Sequence, residues 1–402
     1  MTTATLNQAN FAAPPVVQTI ETRSMFIGLV GTVASVAAAF LAPQSFYSAY
    51  LINFMDLLGL SLGCMAVLML YHLVGGKWGT VARRILEAGM MTLPLMAVLF
   101  IPILLNLPKL YFWAQAEELA KDPKLADIAH SYLNFNGILF RYALYFTIWL
   151  IGAILLRRWS TEQDRPESEG RSTLRFRAVS APGIVLYALS ISFAVIDWVM
   201  SLQARWISTI YGLIFIAGQA LAAFCFVVIA EHILGKRKPM SDYLKPTEIH
   251  DHGKFMLTFV MVWAYFNFSQ WLIIWAGNLP EEIPWYLRRM NGGWGVVGVF
   301  LALFHFAVPF AILLSRQFKR QTSSLVWLAA WLLVMRWTDI WWHIEPAPSF
   351  GHPTVHLSWV HLAIFAGMGG LWLAYFCRNL RARPLLAVYA PQTLTHMEPS
   401  HE

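Results

Sequence analysis

Three residues that can carry charge lie close together in an apolar segment late in the chain. Arg336, Asp339 and His343 fall at positions i, i+3 and i+7, so a helix places all three on one face. Ionisable groups inside a membrane span are costly unless they are paired or hydrated, and they often mark proton paths or binding sites. The spacing therefore favours either proton exchange or a buried ion pair.

Further polar residues interrupt the other apolar segments at two depths. We expect an outer layer near one membrane face, an inner layer near the other, and His305 about midway between them. Besides Arg336, Asp339 and His343, the outer layer contains Asp56, Arg141, Asp197 and Gln270, and the inner layer contains His72, Glu87, Glu231 and His232. Together these residues are our candidates for a proton path, and none is predicted to be catalytic.

A structural role is the alternative for the same residues. Arg141 could pair with Asp56 or Asp197, and Arg336 could pair with Asp339 one helical turn away. Buried pairs of this kind can fix helix register without any further chemistry. The inner residues lie near helix ends, where long side chains can reach headgroup water.

The composition is that of a membrane protein. The chain has 402 residues, of which 58% are hydrophobic and only 13% are charged, against about 25% charged residues in soluble proteins. Ten apolar stretches approach the roughly 20 residues that cross a bilayer as a helix. We predict helices at Met25–Ala42, Tyr47–Leu73, Ile85–Leu105, Gly137–Leu156, Pro182–Leu202, Thr209–Leu234, Gly253–Ala276, Trp294–Ser315, Ser324–His343 and His356–Cys377.

The positions of the basic residues predict the orientation of these helices. Lys and Arg concentrate in the two tails and in the loops after the second, fourth, sixth and eighth helices. Short basic loops remain cytoplasmic, so we expect both termini inside, with cytoplasmic tails at 1–24 and 378–402. The basic net charge follows from these loops and does not indicate nucleic-acid binding. The first residues lack a basic segment before a cleavage site, so we expect no removable signal peptide.

Weak internal similarity predicts a duplication. Asn136-Gly137 opens the fourth helix and Asn291-Gly292 precedes the eighth, while Asp197 and Asp339 lie near the ends of the fifth and ninth. The predicted fold is an all-α membrane bundle (25–377) made of two repeated four-helix bundles, 47–202 and 209–343, with the first and last helices peripheral. A four-helix repeat preserves orientation, unlike the inverted repeats of many transporters.

Several cofactor classes find no matching pattern. The three cysteines are isolated within apolar segments, which argues against an iron–sulfur cluster or a disulfide. Haem b needs two facing histidines at one depth, and only His343 and His361 approach this. We interpret His250-Asp251-His252 as a solvated helix start, and the tryptophans near His343 as an interfacial belt. We therefore expect no haem, metal or cluster ligated by this chain.

Two longer segments resemble a known family. The run from Asp197 to Gly212, DWVMSLQARWISTIYG, and the run from Phe266 to Glu282, FNFSQWLIIWAGNLPEE, are similar to motifs of the membrane subunits of alternative complex III. These subunits belong to the wider NrfD/polysulfide-reductase membrane-anchor superfamily. The compact loops resemble the smaller of the two related subunits. Ala204 stands where the family often has proline.

The resemblance implies a bacterial inner-membrane complex that oxidises quinol and passes electrons to a cytochrome c or a terminal oxidase. Its implied partners are a larger NrfD-like membrane subunit, an iron–sulfur subunit, cytochrome c subunits that hold haem c, and lipids. The polar residues named above then become candidates for a quinone site or a proton path. The alternatives are a solute or ion transporter, and a structural anchor for redox subunits.

Overall fold

The computed structural model describes residues 11–168, 173–387, 389–391 and 393, and this part of the chain contains helices and no strand. Nine of its helices are long and apolar enough to cross a membrane. The chain is thus an all-α, multi-pass membrane protein. These helices are α1 (Pro15–Leu41), α2 (Pro43–Val74), α3 (Lys77–Leu105), α4 (Phe135–Glu162), α5 (Leu174–Trp198), α6 (Tyr211–Leu234), α7 (Pro246–Gly277), α8 (Trp294–Leu314) and α10 (Trp359–Arg381).

One further long helix, α9, spans Thr322–Ile344. It has 23 residues, but it is not among the nine helices of the described chain that are long and apolar enough to cross a membrane. The predicted ten helices are therefore all present, although nine have the hydropathy of a typical membrane span.

Several helices extend beyond their predicted bounds. Helix α1 begins at Pro15, inside the predicted N-terminal tail, and α7 begins at Pro246 rather than at Gly253. Proline at the first helical turn is favourable because its missing N–H would have no partner there. The apolar pattern marks the part that lies in lipid, whereas the helical backbone continues into polar sequence.

Helices α2 and α6 form the centre of the molecule and pack against each other. Helix α2 also contacts α3, α5, α9 and α10, and α6 also contacts α5, α7 and α9. These two helices are accordingly the most buried of the nine apolar spans in the described chain.

Helix α1 packs along α10 through small residues. Gly28 and Gly31 of α1 lie directly against the backbone of Gly370 and Gly367 of α10, where any Cβ would collide with main-chain atoms. Close backbone approach at small residues is a main source of helix association in lipid. The other face of α1 exposes Phe26, Val33, Phe40 and their neighbours, as expected of a lipid-facing surface.

Two long helices are interrupted. Helix α3 consists of Lys77–Met90, Leu93–Leu99 and Ile101–Leu105. Helix α8 contains a π-helical segment at Ala302–Ala307, followed by Pro309. Short helices lie between the long ones, at Leu107–Leu110, Ala116–Lys121, Pro123–Ser131, Met240–Tyr243, Ile283–Met290 and Arg316–Arg320, with 3-10 turns at Phe112–Ala114, Pro166–Ser168, Met200–Gln203 and Pro348–Phe350.

Candidate functional site

The centre of the candidate site is a buried ion pair on α9. Arg336 donates to Asp339 Oδ2, and the two residues are 3% and 1% exposed. The i, i+3 spacing places both side chains on the face of α9 that packs towards α2, α6 and α7 rather than towards lipid. The predicted pairing of Arg336 with Asp339 is confirmed.

Two residues from neighbouring helices complete the surroundings of this carboxylate. Trp263 of α7 donates its indole N–H to Asp339 Oδ2 at 3.2 Å. The ring of His305, in the π-helical segment of α8, lies 4.0 Å from the Trp263 ring, centroid to centroid. His305 is therefore one aromatic ring away from Asp339. The sequence analysis placed His305 about midway between two layers, and the structure brings it into this group of residues through Trp263.

His343 lies on the same face, one turn beyond Asp339. Its Nε2 is 3.7 Å from Asp339 Oδ1, and its Nδ1 is 3.1 Å from the hydroxyl of Tyr211 on α6. Four buried atoms in this group have no hydrogen-bond partner within the described chain. They are Asp339 Oδ1, His343 Nε2 and both ring nitrogens of His305. Buried polar atoms are normally paired with protein or with ordered water, so these atoms favour a site for water or a polar ligand.

Asp56 lies in a different place from the one that we expected. It was predicted near Arg141 and Asp197, but it lines a small space between α2, α6 and α9 together with Arg336. The volume of this space, about 10 Å³, matches roughly one water molecule. Gly218 of α6 makes room for the guanidinium here, because a Cβ at this position would overlap Arg336.

A large apolar cavity opens beside Asp339, between α7 and α8. Its volume is about 980 Å³, which is at the upper end of the range of about 300–1,000 Å³ for small-molecule sites. Most of its lining is apolar or aromatic, and its lining side chains that are neither are Asn267, Arg289 and Asp339. The cavity thus combines apolar walls with one carboxylate and one guanidinium.

Arg289 is a buried cation with no predicted role. It belongs to the short helix Ile283–Met290 and is 2% exposed. Its guanidinium donates to the carbonyls of Trp285, Trp342 and His343, and lies over the Trp285 ring at 3.6 Å. The last two carbonyls belong to the C-terminal turn of α9, where a positive charge is favourable. Burial lowers the pKa of Arg289 to about 9, so it stays charged at neutral pH.

A second ion pair lies between α4 and α5. Arg141 donates to Asp197 Oδ2 at 2.8 Å, and the Tyr145 hydroxyl donates to the same oxygen at 2.8 Å. This confirms the predicted association of Arg141 with Asp197. The space around them is filled by aromatic rings, with Trp198 packed against Phe100 and other rings. The other carboxylate oxygen, Asp197 Oδ1, is buried and has no hydrogen-bond partner within the described chain.

The two acidic residues of the predicted inner layer, Glu87 and Glu231, are both paired. Glu87 of α3 accepts from Arg83, Arg84 and Arg383, and also from Ser160 of α4. Three guanidinium groups around one carboxylate stabilise its ionised form. This arrangement fits a fixed ionic junction better than a group that exchanges protons.

Glu231 pairs with a histidine that the sequence analysis assigned to solvent. His252 Nδ1 lies 2.9 Å from Glu231 Oε2, and His252 Nε2 lies 3.1 Å from the carbonyl of Trp78. Both side chains are 0% exposed, so the interpretation of His252 as part of a solvated helix start is wrong. His232 is half-buried beside this pair, and His72 stacks on Phe176 at 4.7 Å.

Two further sequence predictions concerned Gln270 of α7 and the tryptophans at the C-terminal end of α9. Gln270 of α7 is buried and accepts a hydrogen bond from the Ser208 hydroxyl, apart from Asp339. Trp341 and Trp342 were predicted to form an interfacial belt, but Trp341 packs on Trp294, and Trp342 packs on Trp285. Trp342 also lines the cavity beside Asp339, whereas Trp341 donates its indole N–H to the carbonyl of His356.

Sequence reasoning missed Trp263 and Arg289. Both residues lie on other helices than Asp339, so no regular sequence spacing links them to it. The one available signal was that Arg289 follows an aromatic pair, Trp285-Tyr286.

No protein-family model matches this chain, and no curated protein sequence is significantly similar to it.

Proposed function

We propose that this chain is a membrane subunit of a quinol-oxidising respiratory complex of the alternative complex III type. In this proposal the cavity between α7 and α8 binds the headgroup of a quinone or quinol, and Asp339 accepts a proton from the quinol. The carrying observation is the position of Asp339 at the polar part of a largely apolar cavity of about 980 Å³. The resemblance of segments 197–212 and 266–282 to that family supports the same assignment.

The chemistry follows from the polar groups around the cavity. Oxidation of a quinol releases two electrons and two protons. Asp339 is positioned to accept one proton as a general base, and Arg336 and Trp263 hold its carboxylate in place. The unpaired nitrogens of His305 and His343 offer further sites for a proton. The electrons require redox centres, which we assign to the partners: an iron–sulfur subunit and haem c subunits.

The proposed topology places both termini in the cytoplasm of a bacterial inner membrane. It groups α2–α5 and α6–α9 as two bundles with α1 and α10 peripheral. The contacts of α4 with α5, and of α7 with α6 and α8, agree with this grouping. The two interrupted helices, α3 and α8, are not equivalent in a four-helix repeat, so the matched broken helices of a transporter are not favoured.

The test uses the assembled complex with variants of this chain. Asp339→Asn is expected to lower quinol turnover by about 100-fold or more, the usual contribution of a general base. His305→Gln is expected to reduce proton release into vesicles more than turnover. Asp127→Asn, an exposed aspartate in the helix Pro123–Ser131, is the matched control and should change neither.

A quinone carrying a photoreactive group provides the second readout. Labelling should fall on residues of α7 and α8 and be displaced by unlabelled quinone. Normal turnover and normal proton release in Asp339→Asn would refute the proposal. Absence of labelling, with the partners still co-purifying, would instead favour the structural anchor.

A further inference from the structure

The loop between α9 and α10 gathers three side chains of a type that binds metal ions. Glu345 directly follows the last residue of α9, and His352 and His356 follow the 3-10 turn Pro348–Phe350. One carboxylate oxygen of Glu345 and one ring nitrogen from each histidine all lie within 4.8 Å of one another. The two imidazole rings are stacked, with centroids 4.0 Å apart.

Two of these atoms have no partner although they are buried. Glu345 Oε1 and His352 Nε2 are 3.8 Å apart, beyond hydrogen-bond distance, and neither has a hydrogen-bond partner within the described chain. Glu345 is 0% exposed. Buried polar atoms without a partner are costly. A cation bound between the carboxylate oxygen and the imidazole nitrogen would give both atoms a partner.

Other residues hold the three side chains in place. Glu345 Oε2 lies 3.4 Å from His361 Nε2, and His361 is fixed by Ser358 at the start of α10. The Ser45 hydroxyl of α2 lies 2.9 Å from His356 Nε2. Hydrogen bonds of this kind orient the side chains that ligate a metal and tune its affinity.

An opening leads to this cluster. A cavity of about 570 Å³ reaches His352 from between the short helix Ile283–Met290 and the loop that begins at Pro346. Its lining includes Arg288 and Asn291 as well as prolines. The cavity gives an ion a path to His352 that does not cross the cavity between α7 and α8.

We propose that Glu345, His352 and His356 bind a divalent transition-metal ion, with Zn²⁺ as the best match. Two imidazoles and one carboxylate form the three-residue set that leaves a fourth position on Zn²⁺ open to water. The ion would join the end of α9 to the loop that precedes α10. The sequence analysis expected no metal ligated by this chain and did not consider these two histidines, between which Pro353 disfavours a regular helix. In the structure the loop between α9 and α10 places the rings of His352 and His356 in a stack.

The experiment uses the full chain in detergent, stripped of metal with a chelator and then titrated with Zn²⁺ against a chromophoric zinc indicator. We expect one Zn²⁺ per chain, retained in millimolar Mg²⁺, since Mg²⁺ prefers oxygen ligands. His352→Gln and His356→Gln should each weaken binding by at least tenfold. Ser45→Ala, which removes only an orienting hydrogen bond, should weaken it by about tenfold.

His130→Ala is the matched control, because His130 is exposed on the short helix Pro123–Ser131. It should bind Zn²⁺ as the unaltered chain does. X-ray absorption at the zinc edge should show nitrogen and oxygen ligands and no sulfur. Zn²⁺ that binds less than stoichiometrically, or equally well in His352→Gln and in the unaltered chain, would overturn the proposal. Because Zn²⁺ should also raise the thermal midpoint of the unaltered chain, an unchanged midpoint at saturating Zn²⁺ would overturn it too.

Discussion

Replacing Gly218 with alanine would test the buried ion pair without changing any charge. Gly218 of α6 lies against the guanidinium of Arg336, and a Cβ there would overlap its Cζ and both terminal nitrogens. The Arg336 side chain must therefore move, and moving it separates the guanidinium from Asp339. The small space shared with Asp56 is also filled.

The size of the effect follows from two opposing terms. Separating a buried ion pair leaves an uncompensated charge and costs about 3–5 kcal/mol. Alanine stabilises a helix over glycine by about 1 kcal/mol. The net expectation is a loss of about 2–4 kcal/mol in the free energy of unfolding, since the pair outweighs the helix propensity.

The assay is unfolding in mixed detergent micelles, followed by the fluorescence of the 18 tryptophans. Gly369→Ala is the matched control. Gly369 lies within α10, and no other atom comes within 4 Å of a Cβ built on it. This variant should be as stable as the unaltered chain or slightly more stable, because the propensity term acts alone.

The two glycine variants are thus predicted to differ in sign. Equal stability of Gly218→Ala and Gly369→Ala would refute the argument that the guanidinium is confined against α6. A loss in Gly218→Ala that persists unchanged in an Arg336→Met background would also refute it. The added methyl group would then act on something other than Arg336.

Two other predictions concern the remaining buried pairs. Glu231→Gln keeps an acceptor for His252 Nδ1 and should cost less than about 1 kcal/mol, whereas Glu231→Ala should cost about 1–3 kcal/mol by leaving that nitrogen without a partner. Equal unfolding free energies for the two variants would contradict this. Asp197→Ala should destabilise by about 3–5 kcal/mol because Arg141 and Tyr145 lose their shared acceptor. Lys121→Met, which breaks an exposed pair with Glu118, is its control and should give no measurable change in the same unfolding assay.

The sequence predicted contacts within one helix better than contacts between helices. The pairing of Arg336 with Asp339 depends only on the rise and periodicity of α9, which are known once the helix is recognised. Arg141 and Asp197 lie on consecutive helices that short connections make neighbours, so their pairing was also accessible. Asp56 lies on α2, which contacts several other long helices, among them α3, α5, α6, α9 and α10. The sequence could not show that Asp56 faces Arg336 of α9.

The sequence analysis also placed His252 in solvent, because it lies in a polar segment at the start of a helix. Its tripeptide, His250-Asp251-His252, is polar, and a polar helix start ordinarily faces water. The structure places α7 against the end of α6, so that the third residue of the tripeptide points at Glu231 while Asp251 pairs with Lys254. Adjacent residues on a helix differ in direction by about 100°. A polar run at a helix end can therefore place one residue inside and its neighbours outside.

The cavity beside Asp339 depends on features that no hydropathy pattern contains. Helix α8 is as apolar as α6, and its hydropathy gives no reason to expect a break in the helix. The π-helical segment at Ala302–Ala307 inserts an additional residue into one turn, which rotates the residues that follow. That rotation occurs where His305 meets Trp263, and Trp263 in turn bonds Asp339. Such segments often occur at functional sites because the irregular turn costs stability and is retained where it positions a needed side chain. The irregular turn of α8, as much as the charges of α9, defines the site.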